Sequence, residues 1–282
     1  MSFFENYGSD FYLYHVTCRG NAGIMHLHPH WEMLLCHAAE PALTSVNGTE
    51  ISGDRPFLAI FSPFCLHSVE FRNYYNNIER FVCYFGDNLI NNHAQVFSAF
   101  PDLLNKNFAI FFLTNEQAER CKSMIDMSKV FDHNSNEQKL LFLLILSYVL
   151  NTSQPQAASV SQSSALHISR IIQYMYEHLS EKIDADSVAQ QFYMSRSKLD
   201  KDFQKYTTVS FRQLLIDMRL SHAAYLLLNT EMKITDIAAL SGFENENYFY
   251  AQFKKLMGTT PLKYQKDPGK YIRLNASRRS EP

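Results

Sequence analysis

Apolar residues change their period near residue 114. From about residue 10 to 112 they fall in short alternating runs divided by turn signals, which predicts a small antiparallel β-domain. The segment LTSVNGTEIS is its clearest unit, because Asn47-Gly48 between two alternating stretches suits the two left-handed positions of a tight hairpin turn. RPFLAIFSPFCLHSVEF then predicts a strand, a proline-bearing turn over Ser62–Leu66 and another strand. Beyond residue 114 the spacing is helical. Thr114-x-x-Gln117 and Ser135-x-x-Gln138 both resemble capping boxes, followed by Ala118, Cys121 and Ile125, and by Leu141, Leu144, Ile145 and Tyr148. The second of these helices is apolar nearly all round, so it needs burial against the β-domain or in a subunit interface.

NTSQPQAASVSQSSA, residues 151–165, is polar, uncharged and aperiodic, and reads as an interdomain linker. After it, Ile168, Ile172, Met175 and Leu179 mark one helix, and Phe211, Leu214, Leu215, Met218 and Tyr225 lie along a long amphipathic helix between Ser210 and Asn229. The chain therefore divides into a β-domain over 1–113, a helical segment over 114–151, a linker over 152–165 and an all-α domain over 166–282.

Within the all-α part, two segments repeat at an offset of fifty. SRSKLDKDFQK (195–205) has a candidate N-cap, Ser195, then Leu199 and Phe203 four apart, then Gln204-Lys205. NENYFYAQFKK (245–255) has Asn245, then Phe249 and Phe253, then Lys254-Lys255. Each follows a short helix and a tight break: DSVAQQ before Phe192-Tyr193-Met194, and TDIAAL before Ser241-Gly242-Phe243, where Gly242 suits a left-handed helix end. Two helices joined by three or four residues form a helix-turn-helix, whose second helix enters the DNA major groove. With the apolar pairs buried, the first reading helix turns Arg196, Ser197, Asp200, Lys201 and Gln204 outward, and the second turns out Glu246, Asn247, Tyr250 and Ala251. Lys205, Lys254 and Lys255 are placed for phosphates. A connecting helix of about 18 residues spans roughly 27 Å, enough to hold the two readers about one DNA turn, ~34 Å, apart.

Composition adds a polarity to this division. The net charge of -2 hides 9 basic against 15 acidic residues up to residue 164, and 17 against 13 beyond it. Only the second part has the balance of a polyanion binder. Residues 1–10 lack the basic and apolar regions of a secretion signal, and the longest apolar run, LLFLLILSYVL, is too short to span a membrane, so a soluble cytoplasmic protein is expected. The five cysteines are odd in number and form no C-x-x-C pair, which argues against a disulfide framework or a cysteine-built zinc site.

HLHPHWE, residues 26–32, is the one stretch suggesting other chemistry. On a strand, His26, His28, His30 and Glu32 would share a face, and His67 from a later strand would complete a ligand set suited to zinc, iron or manganese. Three readings stay open: histidines that are merely surface or hydrogen-bonded residues near a barrel mouth, an effector pocket built from these five residues, and a catalytic metal centre. The expectation is an effector pocket with no cofactor, in a chain that is not an enzyme, because a tethered pair of DNA-reading units makes regulation the more economical purpose.

The segments VAQQFYMSRSKLDKDFQKY and MRLSHAAYLLLNTEMKITDIAALSGFENENYFYAQFKKLMGTTPLKY closely resemble the paired helix-turn-helix domain of AraC/XylS-type transcription regulators. The most specific features are Arg219-Leu220 with Ala223, Ile234 to Ala238, Gly242-Phe243, Tyr248-Phe249, Phe253-Lys254, and Gly258 through Pro261 to Tyr264. The resemblance runs from Leu166 to about Lys266. It implies a bacterial DNA-binding regulator that commonly activates transcription through RNA polymerase, with base contacts carried by Ser197, Asp200 and Lys201 and by Glu246, Asn247, Tyr250 and Ala251. The H-x-H-x-x-x-E spacing resembles cupin-barrel motifs and the degenerate cupin-like sensor domain that many such regulators carry, so the expected architecture is an N-terminal cupin-like β-barrel with a helical dimerisation segment, giving a homodimer responsive to a small effector. Two departures stand out: Thr207-Thr208 replaces a usual glycine, and Gln265 stands where arginine is common. Asp200 and Glu246 are poor phosphate partners but sensible acceptors for the cytosine amino group. The alternatives are a cupin-type metalloenzyme with an appended helical module, and a ligand-independent dimeric regulator.

Overall fold

The computed structural model describes residues 11–19, 25–38, 41–71, 77–93, 95, 107–132, 135–156, 164–207 and 209–266. The chain divides into two compact units, one built from Ser9–Ile24 and His30–Ser161, the other from Gln162–Pro282 together with Met25–Pro29 and Met1–Gly8.

In the first unit, β1 (Phe11–Arg19), β7 (Asn77–Phe85), β2 (Trp31–Cys36), β5 (Phe57–Phe61) and β8 (Phe108–Phe112) form one antiparallel sheet in that order. A second sheet is ordered β4 (Thr49–Gly53), β3 (Ala42–Val46) and β6 (His67–Phe71). The expected barrel is thus an arrangement of two antiparallel sheets that does not close into one hydrogen-bonded cylinder among the described residues. The hairpin forms as its sequence requires, with Asn47 and Gly48 at φ 48° and 83° between β3 and β4. The Ser62–Leu66 turn also forms, with Phe64 in the left-handed region at φ 59°.

Alternation along the larger sheet sorts its side chains. Met33, Leu35, Leu58, Ile60, Phe81, Cys83 and Phe85 belong to a core shared with α2 (Asn115–Ser128) and α3 (Asn136–Thr152). Glu32, one step out of phase with Met33, projects from the opposite face. A short helix, α1 (Asp87–Asn92), adds Leu89 and Ile90 to the core.

The capping box of α2 is complete: Thr114 Oγ1 accepts from the Gln117 amide at 3.2 Å, and Gln117 returns the bond to the Thr114 amide at 2.8 Å. That of α3 is not. Ser135 caps the Gln138 amide at 3.3 Å, but the Gln138 side chain turns away to the Ser128 carbonyl at 3.1 Å, tying the two helices together. The buried stripe of α3 also differs from the expected one. Phe142, Ile145, Leu146 and Val149 face the core, whereas Leu140 and Leu144 are exposed (62% and 53%) and Leu141 and Tyr148 are half-buried. A helix apolar on every side leaves its register to tertiary contacts, which sequence periodicity does not reveal. The linker's first residues follow α3, with the Gln156 amide donating to the Ile110 carbonyl of β8 at 2.7 Å; residues 157–163 lie outside the described residues.

The second unit contains α4 (Ser164–Glu177), α5 (Ala185–Gln191), α6 (Arg196–Thr207), α7 (Phe211–Asn229), α8 (Ile234–Leu240), α9 (Glu246–Met257) and α10 (Pro261–Lys266). Leu199 and Phe203 of α6 and Phe249 and Phe253 of α9 are buried, as the repeat requires. Phe249 and Phe253 pack with Leu220, Ala223 and Leu227 of α7, Ile237 of α8 and Tyr264 of α10. Among the described residues, no helix is long and apolar enough to cross a membrane.

Candidate nucleic-acid interface and histidine cluster

Each reading helix begins at a side-chain cap. Ser195 Oγ accepts from the Lys198 amide at 3.2 Å ahead of α6, and Asn245 Oδ1 accepts from the Tyr248 amide at 2.8 Å ahead of α9. The preceding helices end in left-handed residues, Tyr193 at φ 54° and Gly242 at φ 79°. The two turns differ by a residue: three positions separate α5 from Ser195, and four separate α8 from Asn245. Tyr193, 98% exposed, occupies a conformation that disfavours a Cβ; nothing in the helical period points to it.

The outward faces match the expected sets. Arg196, Ser197, Asp200, Lys201, Gln204 and Lys205 are exposed on α6, as are Glu246, Asn247, Ala251, Lys254 and Lys255 on α9, with Tyr250 half-buried. Arg196 and Lys198 of α6 are paired with carboxylates. Arg196 Nε lies 3.1 and 3.0 Å from the two Asp200 carboxylate oxygens, and Arg196 Nη1 lies 3.2 Å from Asp186 of α5. Lys198, which the outward set omitted, grips Asp202 at 2.7 and 2.6 Å. The hydrogen bond that Arg196 donates to Asp200 pushes the Arg196 guanidinium further toward its charged form. The Arg196 pairs are exposed and of small stabilising value, easily exchanged for a phosphate, whereas the Asp202 carboxylate is buried.

Both departures from the family pattern have local roles. Thr207 is buried and its hydroxyl donates to the Phe203 carbonyl at 2.8 Å, closing α6 without glycine; Thr208 lies outside the described residues. Gln265 donates from Nε2 to the Met232 carbonyl at 3.0 Å and ties α10 to the chain ahead of α8. Arg219, noted in the sequence only as part of the resemblance, is half-buried and feels the Glu244 carboxylate. Its Nε and Nη2 donate to the carbonyls of Leu179 (2.9 Å) and Glu181 (2.7 Å).

The histidine cluster assembles differently from the strand alternation expected of it. The strand β2 begins only at Trp31, so His26, His28, His30 and Glu32 do not share one strand face. Within the first unit Glu32 of β2 and His67 of β6 come together, while His30 does not join them; His26 and His28 lie on the segment Met25–Pro29, with ring centroids 6.1 Å apart. His28, Glu32 and His67 are buried (1%, 4% and 1%). His67 Nε2 meets Glu32 Oε2 at 3.0 Å, and Nδ1 lies 2.9 Å from the Cys65 carbonyl. A carbonyl only accepts, so Nδ1 carries a proton and Nε2 is the nitrogen turned toward Glu32. Phe61 stacks on the His67 ring at 3.9 Å and fixes its plane. The nearby Cys65 thiol is pushed well up by burial first and by the Glu32 charge second, and so is that of Cys83, which leaves both as protonated core groups. Cys36 and Cys121 are likewise buried thiols outside any disulfide; the Cys18 side chain lies outside the described residues.

Residues 188–267 match the helix-turn-helix domain family. The chain is similar to the uncharacterized HTH-type transcriptional regulator YijO of Escherichia coli K12, with 32% identity over 128 residues, 45% of each chain. It is also similar to the melibiose operon regulatory protein of the same strain (28% over 118 residues, 42% of this chain and 39% of the other) and to the virulence regulon transcriptional activator VirF of Shigella flexneri (28% over 163 residues, 57% and 59%). This chain spans about half the length of the curated relatives it matches.

Proposed function

We propose that this chain, whose C-terminal region is a paired helix-turn-helix domain of the AraC/XylS type, is a sequence-specific DNA-binding transcription regulator that acts as an activator. One observation carries the reading: two side-chain-capped helices, each behind a left-handed turn, present polar faces from a region matched to the helix-turn-helix family. Ser197, Asp200 and Lys201 in α6, and Glu246, Asn247, Tyr250 and Ala251 in α9, read base edges; Lys205, Lys254 and Lys255 hold phosphates. The test is binding of the full-length protein to the DNA upstream of its own gene across a salt series. The logarithm of the affinity should fall linearly with that of salt, by about 0.9 for each phosphate contacted. Binding that ignores salt would exclude the reading.

The N-terminal unit is assigned to effector binding and pairing of subunits. Residues 114–151 supply the dimer contact through the exposed Leu140 and Leu144 of α3, and RNA polymerase is the downstream partner in the cytoplasm. Leu140→Lys together with Leu144→Lys should convert a dimer to monomers in sedimentation. The effector site is assigned to His26, His28, His30, Glu32 and His67, of which Glu32 and His67 are buried against one another. Their residue types favour a second reading in which the effector is itself a divalent transition ion: imidazoles and a carboxylate suit zinc, iron or manganese, and the Cys65 carbonyl already orients His67. Equilibrium dialysis against zinc or cobalt should give one equivalent retained by the wild type and lost in Glu32→Gln. Retention of none would return the site to an organic effector. An ion held there would also give the metalloenzyme alternative its first footing.

A further inference from the structure

We propose that Arg219 and Gly242 form a junction that fixes the placement of one reading helix against the other, and thereby sets the spacing of DNA half-sites the protein accepts. The inference rests on the DNA-binding reading above. Arg219 sits where α7 passes from one helix-turn-helix half to the other: from Leu220 onward its buried residues join the core of α8, α9 and α10, and at its start Phe211 packs on Phe203 of α6 at 5.5 Å. From this boundary the guanidinium reaches back to the Leu179 and Glu181 carbonyls, which lie in the connection between α4 and α5 and so belong to the first half. On its other side lies the turn of the second half. A Cβ at Gly242 would collide with the Leu179 carbonyl oxygen and stand 2.6 Å from Arg219 Nε. Three backbone segments therefore meet around one planar, charged group.

Away from that point the boundary is open. Clefts of about 380 and 510 Å³ flank the junction, and both are lined by Ile183, Ile216, Arg219 and Tyr248. Among the described residues, α7 and this contact join the two halves at the clefts, and under this proposal their relative angle depends on both. Arg219 is a positioning residue in this scheme. A lysine carries a single ammonium in place of the two-pronged fork and cannot reproduce both bonds in one plane.

The test begins with selection of preferred duplexes by the full-length wild-type protein from a random-sequence library. The selected duplex is then remade with one base pair inserted between its half-sites, with one removed, and with a single half-site. Arg219→Met should lower the preference for the original spacing on the order of fivefold or more, while affinity for the single half-site stays within about twofold. Arg219→Lys should fall between, and decides the matter by the same ratio if the methionine variant does not fold. Variants that keep the wild-type spacing preference, or that weaken on every duplex alike, would overturn the inference alone. A wild type that enriches no duplex would overturn the DNA-binding reading and this inference together.

Discussion

The two helix-turn-helix halves solve one geometric problem with different chemistry. In the first half the sharp turn falls on Tyr193, fully in solvent; in the second it falls on Gly242, wedged against the Leu179 carbonyl. The first reading helix balances Arg196 and Lys198 against Asp200, Asp186 and Asp202, whereas the second carries Glu246, Asn247 and Tyr250 at its start and two lysines only in its last turn. The difference separates two jobs that one repeated unit usually combines. The second half is built around a contact that anchors it to its neighbour, and the first is free to vary its turn. Neither helix begins with an unbalanced positive charge, so specificity falls on hydrogen-bonding groups and affinity on lysines further along.

Several substitutions break or sharpen this contrast. The largest effects should come from the cores: Phe203→Ala and Phe253→Ala each remove a fully buried ring and should cost about 3–5 kcal/mol in denaturant unfolding. Equal losses mean the halves share the structural load; a loss under about 2 kcal/mol in either would make that half an accessory. Next come the turns. Gly242→Ala forces a Cβ into the left-handed region and against a backbone oxygen, so it should cost ~2 kcal/mol or more. Tyr193→Gly should instead change stability by no more than ~1 kcal/mol, with the relieved turn offset by a looser unfolded chain. If the two behaved alike, the proposed asymmetry would be wrong.

Charge changes should be subtler. Removing Lys254 and Lys255 together should flatten the salt dependence of DNA binding by about 0.9 for each phosphate no longer neutralised, while Asp200→Asn, by releasing Arg196, should strengthen low-salt binding without altering the melting temperature measurably. The smallest effect is on pH. Burial lowers the pKa of His222 in α7, whose ring Nδ1 is buried without a hydrogen-bond partner. The unfolded chain takes up that proton first, so the associated stability is complete above about pH 6.5 and is lost as pH falls toward the folded value. His222→Gln should therefore show a smaller drop in melting temperature on acidification than the wild type.

Local signals were legible where neighbours in sequence are neighbours in space. Asn47-Gly48 makes its turn with its own two strands, Thr114 and Gln117 close their box within one helical turn, and Leu199, Phe203, Phe249 and Phe253 go inward because their four-residue spacing leaves one face apolar. What the sequence withheld depends on distant partners. The buried side of α3 is chosen by the sheet it meets, since both sides are apolar. Strand alternation put His26, His28 and His30 on one face with Glu32, yet β2 starts only at Trp31, and of the five residues only Glu32 and His67 lie on the strands β2 and β6. Arg219 looks like any cation on an amphipathic helix until the carbonyls of Leu179 and Glu181 are seen beneath it.

Asn47 gives the first unit a built-in reporter. Its amide donates to the Leu66 carbonyl at 2.8 Å, its Oδ1 accepts from the Leu66 amide at 3.2 Å, and its Nδ2 faces the Cys65 sulfur at 3.7 Å. The hairpin tip is thus stapled to the loop whose Cys65 carbonyl holds His67. A spin label on the exposed Glu50, two residues past the tip, should register any tug on that loop as a change in mobility, so occupancy of the interior could be read from the surface without touching a single ligand.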